Sequence, residues 1–252
     1  MITTRGGEPV AGVHRGTPAE RQRWLRTGAA AGVAGPVAFT AAWVAGSLRQ
    51  PGLPAAAAQI SGLAAETAAD PWLMIGGFVV LGGCAVGFGA ALAAGLGGHR
   101  AAGPAPALIE AAGVLTIAAG LLRRDHVLLT AGPESWHNHA HNVVSAAAYV
   151  LLVVAPVLLA WRLRRDRRWR PLPVPLVAAS VAAAGLLIAF YAGPHNSWDG
   201  TLQRIAVSLP LAAMVAVAVR LARLGLPRPG EPLPGPPGRA ADADSADGVR
   251  PG

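Results

Sequence analysis

His141-Asn-Val-Val-Ser-Ala-Ala-Ala-Tyr-Val-Leu-Leu-Val-Val-Ala-Pro-Val-Leu-Leu-Ala-Trp161 runs for 21 residues without a carboxylate or a guanidinium. At about 1.5 Å per residue, a helix of that length crosses a hydrocarbon core roughly 30 Å thick. Hydrocarbon offers backbone amides no partner, so a stretch rich in Ala, Leu and Val must bond internally as a helix. A barrel would instead need short alternating segments. Directly after it comes Arg162-Leu-Arg-Arg-Asp-Arg-Arg-Trp-Arg170, a run that stays in water.

Working outward, comparable runs are Thr27–Leu48, Trp72–Leu96, Pro104–Leu122, Leu172–Ala192 and Gln203–Leu224. With His141–Trp161 they predict an all-α, polytopic bundle of six transmembrane helices over residues 27–224. Composition agrees: 53% of residues are hydrophobic, 13% charged, and mean hydropathy is +0.43. A soluble domain carries nearer 25% charged residues. The net charge of +8 would suggest nucleic acid in a soluble protein, but its placement excludes that reading. All 21 basic residues are arginine; 17 fall on the side that holds both termini and 4 on the other. The positive-inside rule therefore predicts a multi-pass protein of the cell membrane with both termini cytoplasmic. The first run exceeds a signal-peptide core and is expected to be a retained helix. Residues 1–26 form a basic cytoplasmic segment, disordered to about Pro18, and 225–252 a Pro/Gly-rich disordered cytoplasmic tail. The single Cys84 excludes an intrachain disulfide.

Lipid gives helices no hydrophobic reason to associate, so Gly28-x-x-x-Gly32 and Gly83-x-x-x-Gly87 are expected to pack helices within the chain. Tryptophans at 24, 161 and 169 fall at the inner edge and those at 72, 136 and 198 at the outer edge, as interfacial anchors. Glu110 lies inside the third span. It is either a buried proton carrier or a side chain reaching the inner interface.

Polar chemistry collects in the outer loops. Five of the seven histidines (His126, His137, His139, His141, His195) and five of the thirteen acids are there. His137-x-His139-x-His141 permits two zinc ligands whether helical or extended, with Asp125, His126, Glu134 or His195 as a third. A zinc ion there would activate a water. A solvated, histidine-rich loop is the other reading. Asp70-Pro71 has the order of an N-cap and a first-turn proline. Ser61 sits in a mostly apolar segment that could form an interfacial helix; as a nucleophile it needs a base nearby. Asp199 or Thr201 can cap the last span. Arg204, in its first turns, needs a carboxylate, with Asp125 or Asp199 as partner, or else serves an anion.

Ile60-Ser-Gly-Leu-Ala-Ala65 before Asp70-Pro-Trp-Leu-Met74, an aspartate after the third span, a histidine opening the fourth, and Gly200-Thr-Leu-Gln-Arg-Ile205 together resemble a bacterial six-span family. It is known only as domain of unknown function 998. The likeness covers about residues 27–224. It implies a shared bundle and an outer-rim set at Ser61, Asp125, His141, Gln203 and Arg204, with no established activity. Where that family has a Phe-Pro-type approach to the aspartate, this chain has Leu122-Arg-Arg-Asp125, and His137 and His139 are extra.

Three functions follow as alternatives. The rim cluster, with Asp199 and His195, is structural or binds a lipid headgroup. It serves a metal-assisted hydrolase of a lipid-like substrate through Ser61, Asp125 and His141. Or Glu110 and the rim histidines serve a small proton-coupled transporter. Membrane lipids are the partners in the first two; protein partners are unread.

Overall fold

The first helix begins nine residues before the first uncharged run. Thr17 caps it, accepting from the Glu20 amide while the Glu20 carboxylate accepts from the Thr17 amide, and Pro18 fills the first turn. That reciprocal box starts α1 (Pro18–Arg49) at the point where the expected disorder ends. The computed structural model describes residues 17–128, 134–193 and 197–224; the disorder expected of 1–16 and 225–252 lies outside them.

The remaining helices are α2 (Pro71–Gly95), a single turn α3 (His99–Ala102), α4 (Ala105–Leu121), α5 (Trp136–Leu163), α6 (Pro173–Ala192) and α7 (Asp199–Leu224). Among the described residues there is no strand. Five helices are long and apolar enough to cross a membrane, while α4 has 17 residues. The six expected spans are thus five candidates plus one shorter apolar helix.

Sequential neighbours pack side by side, α1 on α2, α2 on α4, α4 on α5, α5 on α6 and α6 on α7, and α7 closes the ring against α1. The core is mostly Ala, Leu and Phe, with Phe39 and Phe78 edge to face at 5.3 Å. Small residues set the closest approaches. A Cβ on Gly113 would lie 2.6 Å from the Gly82 carbonyl oxygen, so α2 and α4 meet backbone to backbone. Gly28 and Gly32 pack as expected, against Ala91 and Phe88 of α2, but a Cβ on Gly83 would enter open space. α2 turns Gly82 inward instead, one position along.

At the end of the bundle that holds the arginine-rich loop, Trp169 is buried rather than interfacial, because a turn at Arg167–Trp169 folds it under the bundle. Trp24, Trp72, Trp136, Trp161 and Trp198 are exposed. Glu110 ends in an ion pair with His99 of α3 at 2.9 Å, at the end of the bundle that holds the arginine-rich loop.

Candidate functional site

At the end of the ring away from the arginine-rich loop, Ala58 to Ala65 pass inside it rather than lying on its rim, and every residue among them is buried. Short side chains permit this, and Gly62 is needed where a Cβ would overlap the Val127 carbonyl oxygen. The expected interfacial helix is a 3₁₀ turn, Ser61–Ala64, that plugs the bundle.

Arg124 is pinned beneath this plug. Its side chain is 2% exposed, its Nη1 donates to Gln59 Oε1 at 2.7 Å and to Ser61 Oγ at 3.4 Å, and its buried Nε has no partner. The Arg124 carbonyl accepts from the Glu66 amide at 2.9 Å, so backbone and side chain grip the plug together. No carboxylate lies within 4 Å of Arg124 among the described residues. Burial pulls its guanidinium below the ordinary value, with Glu134 the largest opposing charge. Arg123, next in sequence, stays half-buried over Trp72, 5.8 Å from the ring centre.

Asp125 turns the other way. Ser135 gives it two hydrogen bonds, from the amide at 2.6 Å and the hydroxyl at 2.7 Å, and these hold its carboxyl below the usual carboxylate range. Asn138 Oδ1 accepts from the Asp125 amide at 3.3 Å. The three histidines expected in a loop lie in the first turns of α5, which Ser135 caps, and they diverge in partner. His137 Nδ1 lies 2.9 Å from the Arg123 carbonyl and 3.5 Å from Asp125, His139 pairs with Glu134 at 3.2 Å, and His141 is buried. Among the described residues no group of three His, Cys, Asp or Glu side chains could hold a metal ion; His195 lies outside them.

His141 Nδ1 faces the carbonyls of Ala119 and Leu122, each at 2.8 Å, which demands a proton on Nδ1. Nε2 is then the acceptor for the Ser145 hydroxyl at 3.2 Å. Asn138, His141, Ser145 and Tyr149 recur at spacings of 3, 4 and 4, one face of α5. On α7, Gln203 accepts the Ile60 amide on Oε1 at 2.6 Å. Gln203 therefore ties the plug to α7.

Arg204 has no carboxylate within 4 Å among the described residues, so neither Asp125 nor Asp199 is its ion-pair partner. Its donors go to Ser47 Oγ at 2.9 Å and the Ala55 carbonyl, and its guanidinium lies 5.2 Å from the Trp43 ring centre. Asp199 opens α7 and is buried. Asp70 stands at the N-cap of α2, but its side chain makes no cap bond and takes Arg49 at 2.8 Å instead.

Gln203 and Arg124 thus bond the plug at Ile60, Gln59 and Ser61, His141 bonds the end of α4 and Ser145, and Asp125 is held by Ser135. The family model described as protein of unknown function (DUF998) matches residues 33–220. The chain belongs to that family. No curated protein and no solved structure matches it. For this DUF998 chain, Gln59, Arg124, Asn138, Ser145 and Tyr149 are site residues that sequence reasoning missed. The spacing on α5 could have found three of them; nothing in the local sequence separates Arg124 from Arg123.

Proposed function

We propose that this DUF998 protein is a six-span protein of the cell membrane, with both termini cytoplasmic, whose extracytoplasmic rim binds the anionic headgroup of a lipid. One observation carries the reading: Arg204, half-buried at this end, and Arg124, buried beneath the plug, have no carboxylate within 4 Å among the described residues. A desolvated guanidinium without a counter-charge is costly, and a phosphate presents the oxygen geometry it fits. The position of α4 between α2 and α5 supports a sixth span, and the arginine imbalance supports the orientation. Glu110, paired with His99, is an inner-end anchor in this reading and no part of a proton path.

The test is thermal melting of purified protein in neutral detergent with added phosphatidylglycerol or phosphatidylcholine. A ligand that binds only the folded state raises the midpoint. Phosphatidylglycerol is expected to raise it more than phosphatidylcholine, with the difference reduced in Arg204→Gln and Arg124→Gln. Equal effects of the two lipids on the wild type would reject the reading.

A membrane hydrolase is the second reading, favoured by the Ser145 hydroxyl on His141 Nε2 at 3.2 Å. It would run through Ser145, since Arg124 takes the Ser61 hydroxyl. An alkyl fluorophosphonate that modifies Ser145 would put this reading first; an unmodified protein leaves headgroup binding.

A further inference from the structure

At the arginine-rich end, the start of α1, the end of α2, the Arg167–Trp169 turn and the end of α7 surround a cavity of about 520 Å³. Sites for small ligands run from roughly 300 to 1,000 Å³. Leu25, Trp169 and Leu221 form its apolar floor and are buried. Arg21 and Arg168 also line it, and both are exposed.

The ends of the apolar runs fix its depth. Gly95 and Leu224, in its wall, fall at the ends of Trp72–Leu96 and Gln203–Leu224, and Leu25 lies two residues before Thr27, where the first run begins. Exposed Trp24 stands beside Leu25 on α1, an aromatic anchor at the same level. This places the cavity where headgroups meet hydrocarbon.

Charge decides what fits. Arg21 Nη2 donates to the Ala94 carbonyl at 3.0 Å, and no carboxylate lies within 4 Å of this guanidinium among the described residues. Glu20, its neighbour in sequence, is turned to the Thr17 amide at 2.6 Å. Arg168 pairs with Asp166 at 2.9 Å, and Arg220 Nε donates to the Arg168 carbonyl at 2.7 Å, so α7 holds the turn in place. Two guanidiniums in the wall are thus balanced by one carboxylate, which leaves net positive charge over an apolar floor. A soluble anion matches only the charge and a neutral lipid only the floor; an anionic amphiphile matches both.

We propose that this cavity binds one anionic phospholipid of the adjoining leaflet, its phosphate on Arg21 and Arg168 and the start of its acyl chains against Leu25, Trp169 and Leu221. The site lies at the opposite end of the bundle from Arg124 and Arg204 and does not rest on the rim reading.

The experiment uses the full chain in nanodiscs of phosphatidylcholine doped with phosphatidylglycerol that carries a photoactivatable diazirine beside the glycerol. Adducts are mapped by peptide mass spectrometry. Labelling is expected on the peptides that hold Leu25, Trp169 and Leu221. It should fall about tenfold with a phosphatidylcholine probe or in Arg21→Gln, the loss of one charge-assisted contact. Leu224→Trp, which narrows the cavity, should also abolish it. Arg165→Gln, at an exposed position outside the wall, is expected to leave it unchanged. Should Arg21→Gln fail to fold, the head comparison on wild type and Leu224→Trp still decide.

Equal labelling by the two probes identifies an annular lipid and overturns the proposal. So does an equal fall in Arg165→Gln, the mark of diffuse attraction to the arginine-rich surface. Displacement of the probe by added inorganic phosphate would assign the cavity to a soluble anion. Labelling that appears only once residues 225–252 are removed would assign it to the chain's own tail, which carries Glu231, Asp242, Asp244 and Asp247. Either result overturns the proposal as well.

Discussion

Asp125 shows how a residue's neighbours decide its work. Two hydrogen bonds from Ser135 favour its charged form, so its folded-state pKa lies below the unfolded value of about 3.9. The stabilisation is then fully present above that unfolded value and is lost as pH falls through the folded one. Melting of the wild type followed from pH 7 down to pH 3 is expected to show a loss of stability confined to the acid end. Asp125→Asn should be less stable at neutral pH and flatter through the acid range; a curve parallel to the wild type would contradict the assignment. Arg49 and Asp70 make the opposite case. Their ion pair is exposed, and Arg49→Gln is expected to cost under about 1 kcal/mol in the same melts.

The element that organises the rim is the plug at 58–65, and its fit depends on a missing side chain. Gly62→Ala must displace the Val127 carbonyl, and overpacking of this kind costs about 1–3 kcal/mol, so a clear drop in melting midpoint is expected. A neutral substitution would mean the plug is looser than described.

How far these elements were legible follows from the forces involved. Span ends were readable to within a few residues, because a charge cannot continue into hydrocarbon; α2 and α6 match their uncharged runs almost residue for residue. The start of α1 was missed because Thr17 and Glu20 act through a cap, which hydropathy does not register. The site was half legible. Gln203 and Arg124 both bond the plug, at Ile60 and Ser61, and the α5 stripe was present in the spacing. Arg124 was invisible: it and Arg123 are one residue apart in a loop without periodicity, and only tertiary structure sends one under the plug and the other over Trp72. The divergent histidines were hidden for the same reason, since the partner of each comes from another segment.

At the scale of the whole molecule, a closed ring of helices brings the 55–65 segment, the α4–α5 connection and the start of α7 to one end, and the arginine-rich 162–170 loop to the other. In the proposed orientation the arginine-rich end meets the cytoplasm, as the positive-inside rule expects. Lipid binding at the rim and the inner role of Glu110 both inherit that orientation. The direct measurement is cysteine accessibility on intact cells, in a Cys84→Ser background, with a membrane-impermeant maleimide. Glu134→Cys, on the rim, is expected to react without permeabilisation, and Arg165→Cys only after it. The reverse pattern would place Arg124 and its plug on the cytoplasmic side and contradict the account.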